Sequence, residues 1–420
     1  MRILWLCGAL LAAHVSYAAP GPDEYHGRRA ELAEKLHDGV LVLFGHTDKG
    51  EENLRTGFLQ ESNFYYLSGW AEPGAILLLT PSKEDKPHEV LFLPRRDPDR
   101  EKWTGRKLGP DDPDITRRTG FETVMQTDRF EAELHELLTK YSNLYTAGES
   151  ATAQLKALAP LRDISDSALA IARLRMRKSP AELQLIDKAI DATLEAHRAA
   201  WKRAAAGLYE YQVAATMTGA YFDEGCERSS YAPIVGSGPN STVLHYSANS
   251  RRMDNGELLL MDVGAECSAY AADITRTIPV NGKFTKRQRE IYDVVLGAQR
   301  AVIDAIKPGV YLTKPYTGNL TSIAYDYINS HGKDLHGEPL GKYFIHGVSH
   351  HVGLEVHDAT DYSIPLAEGN VITVEPGVYI PEENIGVRIE DMVLVTKDGG
   401  KLLSGALPRD PDEIQKAMVR

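Results

Sequence analysis

Three of the most apolar runs in this 420-residue chain each contain an acid. They are Leu258-Leu259-Leu260-Met261-Asp262-Val263, Val371-Ile372-Thr373-Val374-Glu375, and Val387-Arg388-Ile389-Glu390-Asp391-Met392-Val393-Leu394. Burying an ionised carboxylate is costly unless it is paired, protonated or metal-bound. One such acid usually faces the wet side of a half-exposed strand; three in one region ask for another account. Asp262 and Asp273 lie eleven residues apart across a turn at Gly264–Ser268. A turn centred near Cys267–Ser268 makes them cross-strand neighbours, with Cβ atoms about 5 Å apart. Glu375 and Glu390 lie fifteen apart across the turn Pro381–Asn384, with the same consequence. Like charges that close repel, so something positive must sit between them. Hard divalent cations suit carboxylate oxygens, and two ions suit four acids better than one. One imidazole completes the set, and His346, His350, His351 and His357 fall within twelve residues. His351 points away from its neighbour in an extended segment and receives no role. Arg388 sits two residues from Glu390, on the same strand face, where it can brace a carboxylate.

Positioning these residues requires two hairpins brought together. The second half of the chain supplies a coarse repeat. Helices at 179–203 and 209–224 lead into strands at 231–236 and 243–246 and a hairpin at 257–279. Helices at 285–306 and 316–330 lead into strands at 343–348 and 353–358 and a hairpin at 370–396. The motif Ser179-Pro180-Ala181-Glu182 marks a helix start, with Ser as N-cap, Pro at the first position and Glu closing a capping box. Ahead of it, Gly39–Phe44, Ala75–Leu79 and Val90–Leu93 read as buried strands. Glu31–Leu36, Phe130–Tyr141 and Ala151–Ala159 read as helices, the alternation of an α/β domain. Pro94–Pro113 reads as a long loop, and Ser165–Arg177 as a helix-rich linker. The expected division is residues 1–18 as a leader, 19–170 as the first domain and 171–420 as the second.

The net charge of −12 repels nucleic acid, and no basic cluster interrupts it. Arg2, the apolar run Ile3–Ala13, and small residues Ser16 and Ala18 form a cleavable export signal ending at Ala18, which implies a secreted or periplasmic protein. The run is too short to span a bilayer, and no later stretch is long or apolar enough to do so. Cys7 does not match a lipid-anchoring box. The mature chain then holds Cys226 and Cys267, which could form one disulfide; sequence does not say whether they meet. No Cys-x-x-Cys pair exists, which excludes a thiolate zinc site.

At this point the chain resembles a known family, the pita-bread metallopeptidases that include Xaa-Pro aminopeptidases, prolidases and methionine aminopeptidases. YHGRRAEL from Tyr25 and QESNFYYLSG from Gln60 resemble the aminopeptidase P N-terminal domain. IVGSGPNSTVLHY, MDVGAE, YAADITRTIPVNGKFT, HGVSHHVGLEVHD, VEPGVYI and GVRIEDMVLVT follow the family in order and spacing. The resemblance implies an α/β N-terminal domain followed by an α+β pita-bread catalytic domain with internal pseudo-symmetry. It implies that Asp262 holds one ion, that Asp273 and Glu390 bridge two, and that His350 and Glu375 hold the other. The ions would be Mn²⁺ first, Zn²⁺ or Co²⁺ otherwise. It further implies catalytic roles for His245, His357, Glu375 and Arg388, acting with a hydroxide between the ions, and substrate contacts from His346, Tyr379 and Trp103. In some relatives the loop resembling WTGRKLG, which holds Trp103, reaches a neighbouring subunit's site, so a dimer or tetramer is expected. The short second hairpin turn and the N-terminal domain point to an Xaa-Pro aminopeptidase, with peptides bearing proline second as substrates. A prolidase is the alternative, and a metal-free binding module of the same fold the contrasting class.

Overall fold

The structure is a computed structural model that describes residues 20–81, 89–314 and 317–419. The leader expected at 1–18 lies outside the described residues.

The first part is built on one six-stranded sheet. Its strands are β1 (Gly39–Phe44), β2 (Ile76–Leu79), β3 (Glu89–Leu93), β4 (Thr123–Gln126), β5 (Asn143–Thr146) and β6 (Ile164–Asp166), in the order β4-β3-β2-β1-β5-β6. Helices α1 (Pro22–Ala33), α2 (Glu51–Thr56), α3 (Ser62–Ser68), α4 (Pro98–Thr104), α5 (Ile115–Thr119), α6 (Phe130–Leu138), α7 (Glu149–Leu158) and α8 (Ala168–Met176) accompany it. The central strands are apolar on both faces because both are covered. Leu41, Leu43, Leu77 and Leu91 meet Leu32, Phe64 and Ile171 from α1, α3 and α8. Val40, Val42, Leu78 and Val90 meet Phe130, Leu134 and Leu155 from α6 and α7.

The helix expected at Glu31–Leu36 is the end of α1, which begins at Pro22, where proline at the first position and Asp23 and Glu24 in the first turn favour a start. The expected loop Pro94–Pro113 contains α4, capped by the Asp97 carboxylate, which accepts from the Asp99 and Arg100 amides.

The second part begins with α9 (Pro180–Arg203), whose Ser179–Glu182 capping box is present as read. Then follow α10 (Glu210–Asp223), β7 (Arg228–Ser229), β8 (Ile234–Ser237), β9 (Leu258–Val263), β10 (Ala265–Cys267), β11 (Tyr270–Ala271) and β12 (Ile274–Pro279). The order repeats with α11 (Lys286–Ala305), α12 (Leu320–His331), β13 (Val371–Val374), β14 (Gly377–Ile380), β15 (Ile385–Arg388) and β16 (Asp391–Thr396); β17 (Gly399–Leu402) and α13 (Pro411–Ala417) close the chain. One continuous apolar core joins these helices and strands. Cys226 and Cys267 form a disulfide, closing the question that sequence left open.

The strands expected at 243–246, 343–348 and 353–358 are not formed. Residues 348–352 run beside β13 and share isolated bonds with it: the Val352 amide donates to Val371 O at 3.1 Å and the Glu375 amide to Val348 O at 2.9 Å. Gly347 and Gly353 flank that segment, and the pairing never becomes regular.

The two parts are tied by the YHGRRAEL and QESNFYYLSG segments. Arg28 donates to Tyr66 O at 3.0 Å and pairs with Glu182 of α9 at 3.1 Å. Arg29, fully buried, donates to Glu89 at 2.8 Å and to Leu67 O at 2.8 Å. A buried arginine needs such partners, so these motifs serve the architecture.

Candidate metal centre and active-site cleft

The first hairpin turns on Ser268 and Ala269, both at positive φ (52° and 69°), the backbone of a two-residue hairpin turn. Asp262 therefore pairs with Thr275, and Val263 with Ile274. The acids Asp262 and Asp273 are diagonal neighbours, one step from the direct pairing expected, because the turn lies one residue later. They still share a face. Gly264 is required beside them: a Cβ there would lie 1.8 Å from Ala272 O. In the second hairpin, Val374 pairs with Asp391 and Gly377 with Arg388, so Glu375 stands opposite Glu390, as the spacing predicts. The hairpins lock to one another through Thr277, whose hydroxyl donates to Arg388 O (2.9 Å) and accepts from its amide (3.2 Å), and through the Glu390 amide on Thr275 O (3.1 Å).

Asp273, Glu375 and Glu390 gather around His350, and Asp262 stands beside Asp273 on the same cleft wall. Ligand atoms of Asp273, His350 and Glu390 lie within 4.8 Å of one another. His350 Nε2 is 3.4 Å from Asp273 Oδ2 and 3.4 Å from Glu375 Oε1. Its Nδ1 is 3.1 Å from His351 O, which assigns the proton to Nδ1 and leaves Nε2 free as a donor atom toward the acids. Tyr231 places its hydroxyl 2.5 Å from both Asp262 Oδ1 and Asp273 Oδ1. Thr275 donates to Glu390 Oε2 at 2.7 Å, and Thr373 to Glu375 Oε1 at 3.2 Å. Glu390 Oε1 is buried with no hydrogen-bond partner among the described residues. A buried carboxylate oxygen left without a donor, facing other carboxylates and a free imidazole nitrogen, is the environment a divalent cation fits.

The electrostatics agree. Burial raises the Asp273 carboxyl well above its usual range, and Asp262 beside it adds to the rise. Burial, then Asp273 and Glu375, raise Glu390 in the same way. Burial also raises Glu375, against the opposing pull of His350 and Arg388. Burial alone would raise Asp262 too, but Arg388 and Tyr231 outweigh it and hold that carboxyl low. Arg388 braces Asp262 across the hairpins rather than its strand neighbour Glu390.

A cleft of about 550 Å³ opens over these groups, with His245, His346 and His357 on its walls beside the apolar Ile234, Leu244 and Val356. The His357 ring meets His350 edge-on at 4.2 Å between centroids. Burial, followed by the neighbouring His350 and His245, lowers the His357 pKa. Burial, then Arg388, depresses His346 to about 4, so it is a neutral imidazole at pH 7.

Two expected substrate contacts are not in the cleft of their own chain. Tyr379 is buried behind the wall, its hydroxyl 2.8 Å from His346 Nε2 and accepting from Arg388 Nη1 at 2.8 Å. It braces two lining residues instead of lining the cleft. Trp103 is 89% exposed on α4 and does not line the cleft, since α4 belongs to the outer surface of the first part. Tyr231, Thr275 and Thr373 were not anticipated. The two threonines had a signal: each lies two residues from an acid, Asp273 or Glu375, and so on its strand face. Tyr231 precedes β8 and had none.

Residues 184–397 match metallopeptidase family M24, and residues 25–145 match the aminopeptidase P N-terminal domain. The Xaa-Pro aminopeptidase of Escherichia coli (strain K12) is 34% identical, over 94% of this chain and 98% of that protein. The mitochondrial intermediate cleaving peptidase 55 of Arabidopsis thaliana is 29% identical, over 94% and 82%, so relatives occur in bacteria and in mitochondria. The structure of E. coli aminopeptidase P with the inhibitor Pro-Leu superposes with a TM-score of 0.85 at 31% identity, covering 96% of this chain and 99% of that one. A zinc-substituted E. coli aminopeptidase P in complex with product gives 0.84 at 31% identity, with the same coverage. No helix among the described residues is long and apolar enough to cross a membrane. With both domains matched and a full-length relative above 30% identity, the chain belongs to metallopeptidase family M24, as a two-domain metallo-aminopeptidase carrying the aminopeptidase P N-terminal domain.

Proposed function

We propose that the chain hydrolyses the bond between an N-terminal residue and a following proline, as an Xaa-Pro aminopeptidase. Asp262, Asp273, His350, Glu375 and Glu390 would hold two divalent cations. When bound, such a pair lowers the pKa of a water molecule and supplies positive charge at a scissile carbonyl. The chain's own residues do the rest. Neutral His357 offers an N–H to oxygen charge developing on the carbonyl, and His245 contacts the peptide from another part of the cleft wall. Arg388 and Tyr379 hold Asp262 and His346 in place, and Glu375, the least buried of the four acids, can carry a proton. Ile234, Leu244 and Val356 give an apolar surface suited to a pyrrolidine ring.

The observation that carries this reading is a peptide-sized cleft lined by four carboxylates and His350, in which ligand atoms of Asp273, His350 and Glu390 come within 4.8 Å of one another. The complete donor set argues against a metal-free binding module. The test is a peptide panel on stripped enzyme with Mn²⁺, Zn²⁺ or Co²⁺ added back. An Xaa-Pro-Xaa tripeptide is cleaved faster than an Xaa-Pro dipeptide; strong preference for the dipeptide would make the chain a prolidase. Mn²⁺ is the proposed ion, from its preference for oxygen donors.

Export to an oxidising compartment is proposed from the leader and is supported by the Cys226–Cys267 disulfide. Intact-mass measurement checks it: an uncut N-terminus on cell-envelope material counts against export. Trp103, exposed as it is, is proposed to act only from a neighbouring subunit of a homo-oligomer.

A further inference from the structure

Behind His350 and His357 lies a buried ion cluster that the proposed chemistry does not use. Asp358 follows His357 directly. Its Oδ1 accepts from Arg175 Nη2 at 2.5 Å and its Oδ2 from Lys178 Nζ at 2.8 Å. All three side chains are almost wholly buried. Arg175, on α8, also donates to Asn63 Oδ1 at 2.7 Å on α3 and to Glu355 Oε2 at 2.9 Å. The cluster thus connects the six-stranded-sheet domain with the loop that carries His357.

The Asp358 amide donates to His351 O at 2.9 Å. That same carbonyl oxygen faces His350 Nδ1 at 3.1 Å and sets which ring nitrogen is free. Where Asp358 sits therefore decides where His351 O sits, and with it the aim of His350 Nε2. The loop folds tightly over the cluster: a Cβ on Gly353 would lie 2.3 Å from Asp358 Oδ2 and 2.9 Å from Lys178 Cε. Gly353 O accepts from the Ala271 amide at 2.8 Å, which ties the loop to the hairpin of Asp273.

We infer that Arg175, Lys178 and Asp358 are positioning residues that orient His350 and His357 from the joint between the two domains. A buried ion cluster is a poor source of stability compared with apolar packing. Groups that hydrogen-bond behind a metal-binding histidine fix its tautomer and ring orientation. The inference rests on the reading of His350 as a cation donor.

The test uses the full-length chain. Zn²⁺ affinity is measured by competition with a chromophoric chelator, alongside kcat and KM on an Xaa-Pro-Xaa tripeptide. Asp358→Asn keeps the shape and removes the charge; Zn²⁺ affinity and kcat fall by about tenfold or more, with KM little changed. Arg175→Lys, which keeps a cation against Asp358, retains most of both, whereas Arg175→Met does not. Should Asp358→Asn fail to fold, Asn63→Ala removes only the far partner of Arg175 and gives a smaller loss in the same direction. Wild-type Zn²⁺ affinity in folded Asp358→Asn, or in Asn63→Ala where that substitute is used, overturns the inference. A wild-type chain that binds no Zn²⁺ overturns the reading of the centre instead, so the two failures are separate.

Discussion

Replacing Asp273 by asparagine raises the thermal midpoint of the metal-stripped protein and removes the gain that a divalent ion gives. A change at a buried, hydrogen-bonded position ordinarily destabilises. Asp273 differs because of its surroundings. It shares its face with Asp262, and one of its carboxylate oxygens lies within 4.8 Å of a Glu390 oxygen. Two full charges at that distance repel by about 3 kcal/mol at an effective dielectric constant of about 20. The raised pKa values of Asp273 and Glu390 mean that partial protonation relieves some of this in the stripped protein. A residual repulsion of about 1 kcal/mol moves the midpoint by about 2–4 °C for a domain of this size. Asparagine keeps an oxygen for the Tyr231 hydroxyl, so that hydrogen bond is retained.

Adding Mn²⁺ or Zn²⁺ reverses the order. An ion at about a hundred times its Kd stabilises the wild type by about 2.7 kcal/mol. Asp273→Asn lacks a ligand charge and gains little. The assay is differential scanning fluorimetry of both proteins at pH 8, in chelator and in a metal series. The two midpoint curves cross as metal is added. An asparagine variant that melts below the wild type in chelator refutes the repulsion argument. One that matches the wild-type gain with metal removes Asp273 from the centre.

Two further outcomes follow from groups outside the centre. Burial alone would raise Asp358, but Lys178 and Arg175 overcome it and hold the carboxyl at about 2. A depressed carboxyl gives stability that is present above its unfolded value, near 4, and is lost as pH falls through the folded one; the amount is about 2 kcal/mol. Between pH 4.5 and 2.5, wild-type stability in urea titrations should therefore fall more steeply than that of Asp358→Asn; equal slopes would deny the charge pairing. The disulfide closes a 41-residue separation, for which chain entropy predicts about 4 kcal/mol. Cys226→Ser should melt several degrees lower than wild type, and thiol titration of the denatured, unreduced mature protein should find no free thiol; unchanged melting and two free thiols would refute the bridge.

How far the centre was readable from sequence depended on whether a strand constrained each side chain. Alternation fixes a residue's face, and a change of cross-strand partner by two positions preserves it. That is why Asp262 and Asp273 were placed on one face although the turn falls a residue later than expected, at Ser268 and Ala269. Thr275 and Thr373 were open to the same reasoning. Loop residues had no such constraint. His245, His346 and His357 fall in segments expected as strands that do not form, so resemblance, and not spacing, suggested their roles. Tyr231, which touches both Asp262 and Asp273, was expected to open a strand at 231–236, but that strand begins at Ile234 and no acid lies two residues from Tyr231 to mark it. The Asp97-Pro98 start of α4 was legible, since an acid before a proline is a common helix entry, but the surrounding prolines and glycines masked it. Arg175 and Asp358 are 183 residues apart, and no local pattern pairs them. Their meeting depends on where α8 leaves one domain and how the loop around Gly353 folds back, which only the packed chain decides. The groups that would meet a cation were thus the most legible because β-hairpins carry them, while those that aim the imidazoles were the least.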